Sequence, residues 1–301
     1  MAMKLWLILF AAIVFVQAYA RADVVVTTVF NVIESKKTET LLVLSGVDGR
    51  VYKTKKTSEG LKYLKALKGK VVTLSYTTRG EESHIDQIRT VAPGEVDTRT
   101  MDLNHFQYNQ LREFAPTELQ SMEEANNLFT TLLNDGDRSR SQCFKRAHMW
   151  SFDMWSKLNI NSQKMFIFYT QRYVQLEDFK WWFHVAPSVV VNGVDMVMDG
   201  TFMEKPMTVR AWQNFFMKSE KIRCPMIENY NQYADNQWQK LCYTLKVPMY
   251  YLSPLDIENR DNKNIQKDHW VLEELQDARR AFKNYLDVYE GLDTGKPTIT
   301  Y

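Results

Sequence analysis

A chain of 301 residues with 45% hydrophobic content can bury a sizeable core in one large domain or two smaller ones. A net charge of +2, with no dominating block of like charge, excludes nucleic acid or an anionic membrane as a partner chosen by bulk electrostatics. The function must be sought in the motifs. Residues 1–20 form a separate unit: Lys4 gives a positive start, Leu5 to Val16 an apolar run, and Ala18-Tyr19-Ala20 a small-x-small cleavage pattern. This is the pattern of a secretory signal peptide, so the mature chain is expected to begin at Arg21 and to keep no membrane anchor. The apolar run is too short to span a bilayer, which takes about 20 residues. The expected location is secreted or periplasmic.

Residues 21–92 read as a small β-rich module. Asp23 to Ile33 and Leu41 to Lys53 are rich in Val, Thr and Leu, with turn signals at Gly46 and Asp48-Gly49, and Val71 to Thr78 and His84 to Val91 add two strand-like runs. One helix, Ser58 to Leu67, lies between them. Strands with a single helix in so short a span predict a barrel-like shape, OB-like or SH3-like. Between Arg50 and Lys70 stand eight basic residues and one acid, Glu59. They read as a solvated face in preference to a patch for an acidic partner.

Pro93-Gly94 opens a polar linker, 93–105, and a second domain is expected over 106–301. A helix from Pro116 to Leu133 with a Glu-rich first turn comes early, followed by strands at Lys164 to Tyr169, Phe183 to Val191 and Val194 to Phe202. A long helix from Asp268 to Tyr289 closes the domain. Helices combined with an antiparallel sheet predict an α+β fold.

The three cysteines are Cys143, Cys224 and Cys242. An odd number in an exported chain leaves one thiol over. Cys224 and Cys242 are close in sequence and flank a loop-rich stretch with Pro225, Asn229, Asn231 and Asn236, which favours them as the bridge; the alternative is three reduced, buried thiols. Cys143 follows Ser139-Arg140-Ser141, a capping sequence, and precedes a run that can be helical, so its thiol falls in a first helical turn. There the unpaired backbone N–H groups and the helix dipole favour a thiolate. Cys143, Ala147, Trp150 and Met154 also fall on one helical stripe, and by spacing alone a core role is equally open.

A reactive thiol needs a base. His148 is five residues along the same helix and about 140° around it, so it cannot face Cys143. His184 is better placed. Asn192-Gly193 between two apolar runs is a two-residue hairpin turn, which pairs Val191 with Val194, Ala186 with Asp199 and His184 with Thr201. Asp199 is then the diagonal neighbour of His184, about 7–8 Å away by backbone and within side-chain reach. Asp195 lies about 20 Å along the strand and is excluded as an orienting acid. A carboxylate holding an imidazole that meets a thiol is the general triad, although spacing alone leaves open a buried His–Asp pair with no thiol beside it.

The blocks Cys143-Phe144-Lys145-Arg146-Ala147-His148, Phe183-His184-Val185-Ala186 and Met198-Asp199-Gly200-Thr201-Phe202, with Pro206 and Ala211-Trp212, resemble the protein-glutaminase family, bacterial protein-glutamine deamidases, over roughly 136–216. Gln142 and Gly200 stand where the family pattern has Gly and Pro. The resemblance implies a papain-like or transglutaminase-like core, a triad of Cys143, His184 and Asp199, and hydrolysis of protein-bound glutamine to glutamate and ammonia through a thioester. It implies protein or peptide substrates bearing glutamine, no cofactor and no metal. It also suggests that the 21–92 module is a regulatory pro-region. Trp181 and Trp182 are expected to line the substrate groove, or else to be plain core aromatics. Two rivals remain: another thiol enzyme of the same architecture, transglutaminase or peptidase, and a secreted binding protein without catalysis.

Overall fold

A computed structural model describes residues 23–46, 49–91, 115–132, 143–249 and 251–263. The expected signal peptide, linker and closing helix at 268–289 lie outside the described residues. Among those described, no helix is long and apolar enough to cross a membrane.

The first unit is a closed barrel. Strands β1 (Asp23–Glu34), β2 (Thr40–Ser45), β3 (Val51–Lys55), β4 (Val71–Arg79) and β5 (Glu82–Thr90) run in the order β1-β2-β3-β5-β4. Helix α1 (Ser58–Ala66) connects β3 to β4, and the Thr57 side chain caps it by accepting from the Gly60 amide. Val29, Leu41, Val43, Tyr52, Val72 and Leu74 fill the barrel, and α1 closes it with Leu64. Alternation along each strand sends these residues inward.

The basic face expected on this module needs correction. Arg50 and Lys53 are buried. Arg50 donates to Ser83 Oγ at 3.1 Å, and Lys53 pairs with Glu82 at 2.8 Å. Charges this far from water persist only with such partners. Lys55, Lys56, Lys62, Lys65, Lys68 and Lys70 are exposed as expected.

The second unit is built on a seven-stranded sheet. β6 (Glu118–Leu119), β7 (Gln163–Tyr169), β8 (Phe183–Val191), β9 (Val194–Val197), β10 (Met207–Thr208), β11 (Met226–Ile227) and β12 (Cys242–Pro248) form it in the order β10-β9-β8-β7-β12-β11, with β6 beside β8. Every residue of β7 is buried, as a strand covered on both faces must be. The helices are α2 (Met122–Thr130), α3 (Cys143–Leu158), α4 (Gln171–Glu177), α5 (Val209–Met217), α6 (Tyr230–Ala234) and α7 (Pro254–Lys263). The helix expected from Pro116 starts later, at Met122, because Glu118 and Leu119 pair in parallel with Val190 and Val191. Ser121 is its cap, accepting from the Glu124 amide at 3.1 Å. Cys224 and Cys242 are disulfide-bonded, joining the segment before β11 to the start of β12.

The barrel docks on the second unit through the loop between β2 and β3. The Trp182 amide donates to Gly49 O at 3.0 Å, the Val51 amide to Lys180 O at 2.8 Å, and Trp182 Nε1 to Ser45 O at 2.6 Å. Phe30 stacks on Trp182 with centroids 4.4 Å apart. Lys180 bridges to Glu81 at the tip of the β4–β5 hairpin, 2.6 Å away. Gly49 has a φ of +70°, and a Cβ there would lie 2.4 Å from the Phe183 ring, so no other residue fits the contact.

Candidate active site

The hairpin forms as its sequence dictates. Asn192 and Gly193 have φ of 49° and 74°, the left-handed pair of a type I′ turn. Val191 faces Val194, Val190 faces Asp195 and Ser188 faces Val197. The ladder ends with the Met198 amide on Pro187 O at 2.8 Å. The chain then turns, because the Phe202 and Met203 amides both return to Asp199 O. The strand expected to run on to Phe202 therefore stops early, and Asp199 sits at the mouth of a turn. Its carboxylate still reaches diagonally to the imidazole, with His184 Nε2 and Asp199 Oδ2 2.7 Å apart. Asp195 is elsewhere, paired with Lys246 at 2.9 Å.

Cys143 is the first residue of α3 and the free cysteine of the chain. Its stripe partners Ala147, Trp150 and Met154 are all buried, so the stripe is core and the candidate thiol is its first member. The thiol lies close enough to His184 to act on the ring. Because Nε2 is engaged by Asp199, Nδ1 is the ring nitrogen left for the thiol. His148 has no part in this and meets Lys164 Nζ at 2.8 Å.

The three groups are almost dry, with 7% of Cys143, 2% of His184 and 1% of Asp199 exposed. Burial by itself lowers the pKa of His184, but the negative charges of Asp199 and Cys143 and the hydrogen bonds to both outweigh it and raise the value to about 9. Burial raises the pKa of Asp199, yet His184, the Trp212 indole and the charge of Arg146 hold its carboxyl below the usual carboxylate range. The arrangement favours an imidazolium against the Asp199 carboxylate. Tyr169 on β7 is pushed well above its ordinary phenol value by burial first, then by Tyr173, Cys143 and Asp199. It remains a neutral hydroxyl.

Rings enclose the imidazole. Phe216, Phe202, Trp212 and Trp181 have centroids 4.4, 5.2, 5.7 and 5.9 Å from that of His184. Electron-rich faces against a cationic ring add to the preference for the charged form. Of the two tryptophans expected at the groove, Trp181 stacks on His184, while Trp182 is fully buried and directed at the barrel. Trp212 is the residue that reading from spacing missed. β10 pairs Met207 with Val197, α5 starts at once behind the Thr208 cap, and the first turn returns Trp212 over Asp199. Its Nε1 donates to Asp199 Oδ2 at 2.9 Å. The signal available was a Trp212/Phe216 pair at helical spacing, which marks a buried face and says nothing of the N–H.

No curated protein matches the chain. Its fold is similar to the crystal structure of pro-protein-glutaminase, at 15% identity and a TM-score of 0.52, covering 87% of this chain and 92% of that one. The NMR structure of protein-glutaminase from Chryseobacterium proteolyticum aligns at 13% identity and a TM-score of 0.33, covering 61% of this chain and 95% of that one. The family model described as Glutaminase matches residues 122–216, a span that holds Cys143, His184 and Asp199. That match covers about a third of the chain, and the likeness to pro-protein-glutaminase extends over the fold as a whole.

Proposed function

We propose that the chain is a secreted protein-glutamine deamidase in which Cys143 is the nucleophile, His184 the acid and base, and Asp199 the group that orients the imidazole. One observation carries this reading: a single buried imidazole lies between a carboxylate on Nε2 and a thiol at a helix start. Cys143 Sγ, as thiolate, attacks the side-chain carbonyl carbon of a protein-bound glutamine. The amide oxygen takes the negative charge, and backbone N–H groups of the first turn of α3, which lack acceptors within the helix, would stabilise it. His184 gives its proton to the departing nitrogen, ammonia leaves, and a thioester remains. A water then loses a proton to His184 and attacks the thioester. Glutamate is released and the thiolate–imidazolium pair returns.

The core around this site is of the papain and transglutaminase kind, with the thiol on a helix and the imidazole on the sheet. The barrel is an OB-type module that restrains the site, which its strand order and its docking on residues 180–182 support. Trp181 is the ring placed to wall the glutamine, and Trp182 becomes available to substrate only when the barrel lifts. Export is supported by the disulfide and by the leader pattern of residues 1–20.

The test is direct. The mature chain, with and without residues 21–92, is incubated with an unfolded glutamine-rich protein, and the ammonia and the mass of the product are measured. Ammonia with amide-to-acid shifts at glutamine, lost in Cys143→Ala, is the expected result. Shortened peptides would identify a peptidase, linked chains a transglutaminase, and an unchanged substrate in both forms would leave the binding-protein reading.

A further inference from the structure

We propose that Trp212 is the positioning residue of the acid: its indole N–H holds Asp199 Oδ2 in the place where that oxygen meets His184. The inference rests on the triad reading above. Oδ2 accepts from two directions, the imidazole Nε2 at 2.7 Å and the indole Nε1 at 2.9 Å. Asp199 stands where the β9 ladder has ended and a turn begins, so no paired strand fixes its side chain. A carboxylate there can rotate about its own bonds, and its aim must be set by a contact.

An indole suits this task. It donates in one direction, accepts nothing and does not titrate, so it orders the carboxylate without competing for the proton that His184 carries. The ring itself is fixed. Trp212 is fully buried and packs against Phe216 at 5.5 Å. The next residue, Gln213, ties α5 to the disulfide segment by donating to Cys224 O at 3.1 Å and to Thr244 Oγ1 at 3.3 Å. The other groups that act electrostatically on the pair are Cys143 and Arg146 from α3 and Tyr169 from β7.

The test uses the full chain with Trp212→Phe and, because a fully buried tryptophan is at risk in any truncation, a second variant carrying benzothienylalanine at position 212. That isostere keeps the ring and replaces only the N–H. His184 is followed by 15N NMR through a pH titration, and kcat and KM by ammonia release. Without the indole donor Asp199 becomes more basic and holds the Nε2 proton more tightly. The His184 titration should rise by about one pH unit, the shift that goes with losing one hydrogen bond to a charged group. kcat should fall on the order of tenfold to a hundredfold through loss of alignment, with KM unchanged. A lower melting temperature with the His184 titration and kcat unmoved in the isostere overturns the inference. If the wild-type protein releases no ammonia, the deamidase reading fails, and the His184 titration still decides the role of Trp212.

Discussion

Gly49→Ala tests how the barrel is held against the site. At φ +70° an alanine is strained, which costs about 1–2 kcal/mol from the backbone alone. Its Cβ would also lie 2.4, 2.7 and 2.9 Å from three atoms of the Phe183 ring. Something must move. Phe183 is buried between Phe144, Phe166 and Trp182, and disrupting a core phenylalanine costs about 3–5 kcal/mol. The loop is held by three hydrogen bonds, from the Trp182 amide, the Val51 amide and the Trp182 indole, at about 0.5–1.5 kcal/mol each. The loop therefore yields first. The assay is native-state hydrogen exchange at the Val51 and Trp182 amides, both of which donate across the contact. Backbone strain alone predicts exchange about 5–30-fold faster, and the clash adds to that. If the barrel restrains catalysis, the same variant releases ammonia faster than wild type. Unchanged exchange at both amides would refute the reasoning, since neither strain nor clash could then have been relieved at the loop.

The pH dependence follows from the His184 pKa. Because it is raised from 6.5 to about 9, its contribution to stability is full below pH 6.5 and is lost as pH rises through about 9, and the alkaline limb of kcat should fall in the same window. Asp199→Asn removes the leading source of the upward shift, so that limb should move to lower pH, with kcat reduced on the order of 10⁴-fold; a limb that stays near pH 9 would exclude the pairing. Replacing Cys224 and Cys242 together by serine opens a cross-link of sequence separation 18, which should cost about 3 kcal/mol. By calorimetry that is about 5 °C in melting temperature for a chain of this size, and an unchanged transition would mean that the bridge is idle.

The parts of the site that are local in sequence could be read from it. Asn192-Gly193 determines its own turn, the turn determines the register, and the register brings Asp199 to His184 while sending Asp195 away. Cys143 could be placed in a first helical turn, but whether that turn met the hairpin was not a matter of spacing. Tertiary contacts decided the rest. The early helix was shortened because a sheet edge claimed Glu118 and Leu119, and Arg50 and Lys53 went inside because their partners, Ser83 and Glu82, come from a distant strand. The Trp212 hydrogen bond was invisible for the same reason, since periodicity marks a buried face but not the direction of an N–H.

The bridge between Cys224 and Cys242 has a bearing on how long the site can last. With those two sulfurs joined, Cys143 has no other thiol in its own chain. A thiolate oxidised by peroxide becomes a sulfenic acid, and chains that recover by themselves do so by condensing it with a neighbouring cysteine. Here no resolving partner exists. Repair depends on small thiols from the surroundings, and where these are scarce the sulfur proceeds to the irreversible sulfinic state. If Cys143 is the nucleophile, the working lifetime of the folded molecule is then set by the chemistry of one atom, and shielding of that atom counts for as much as the stability of the fold.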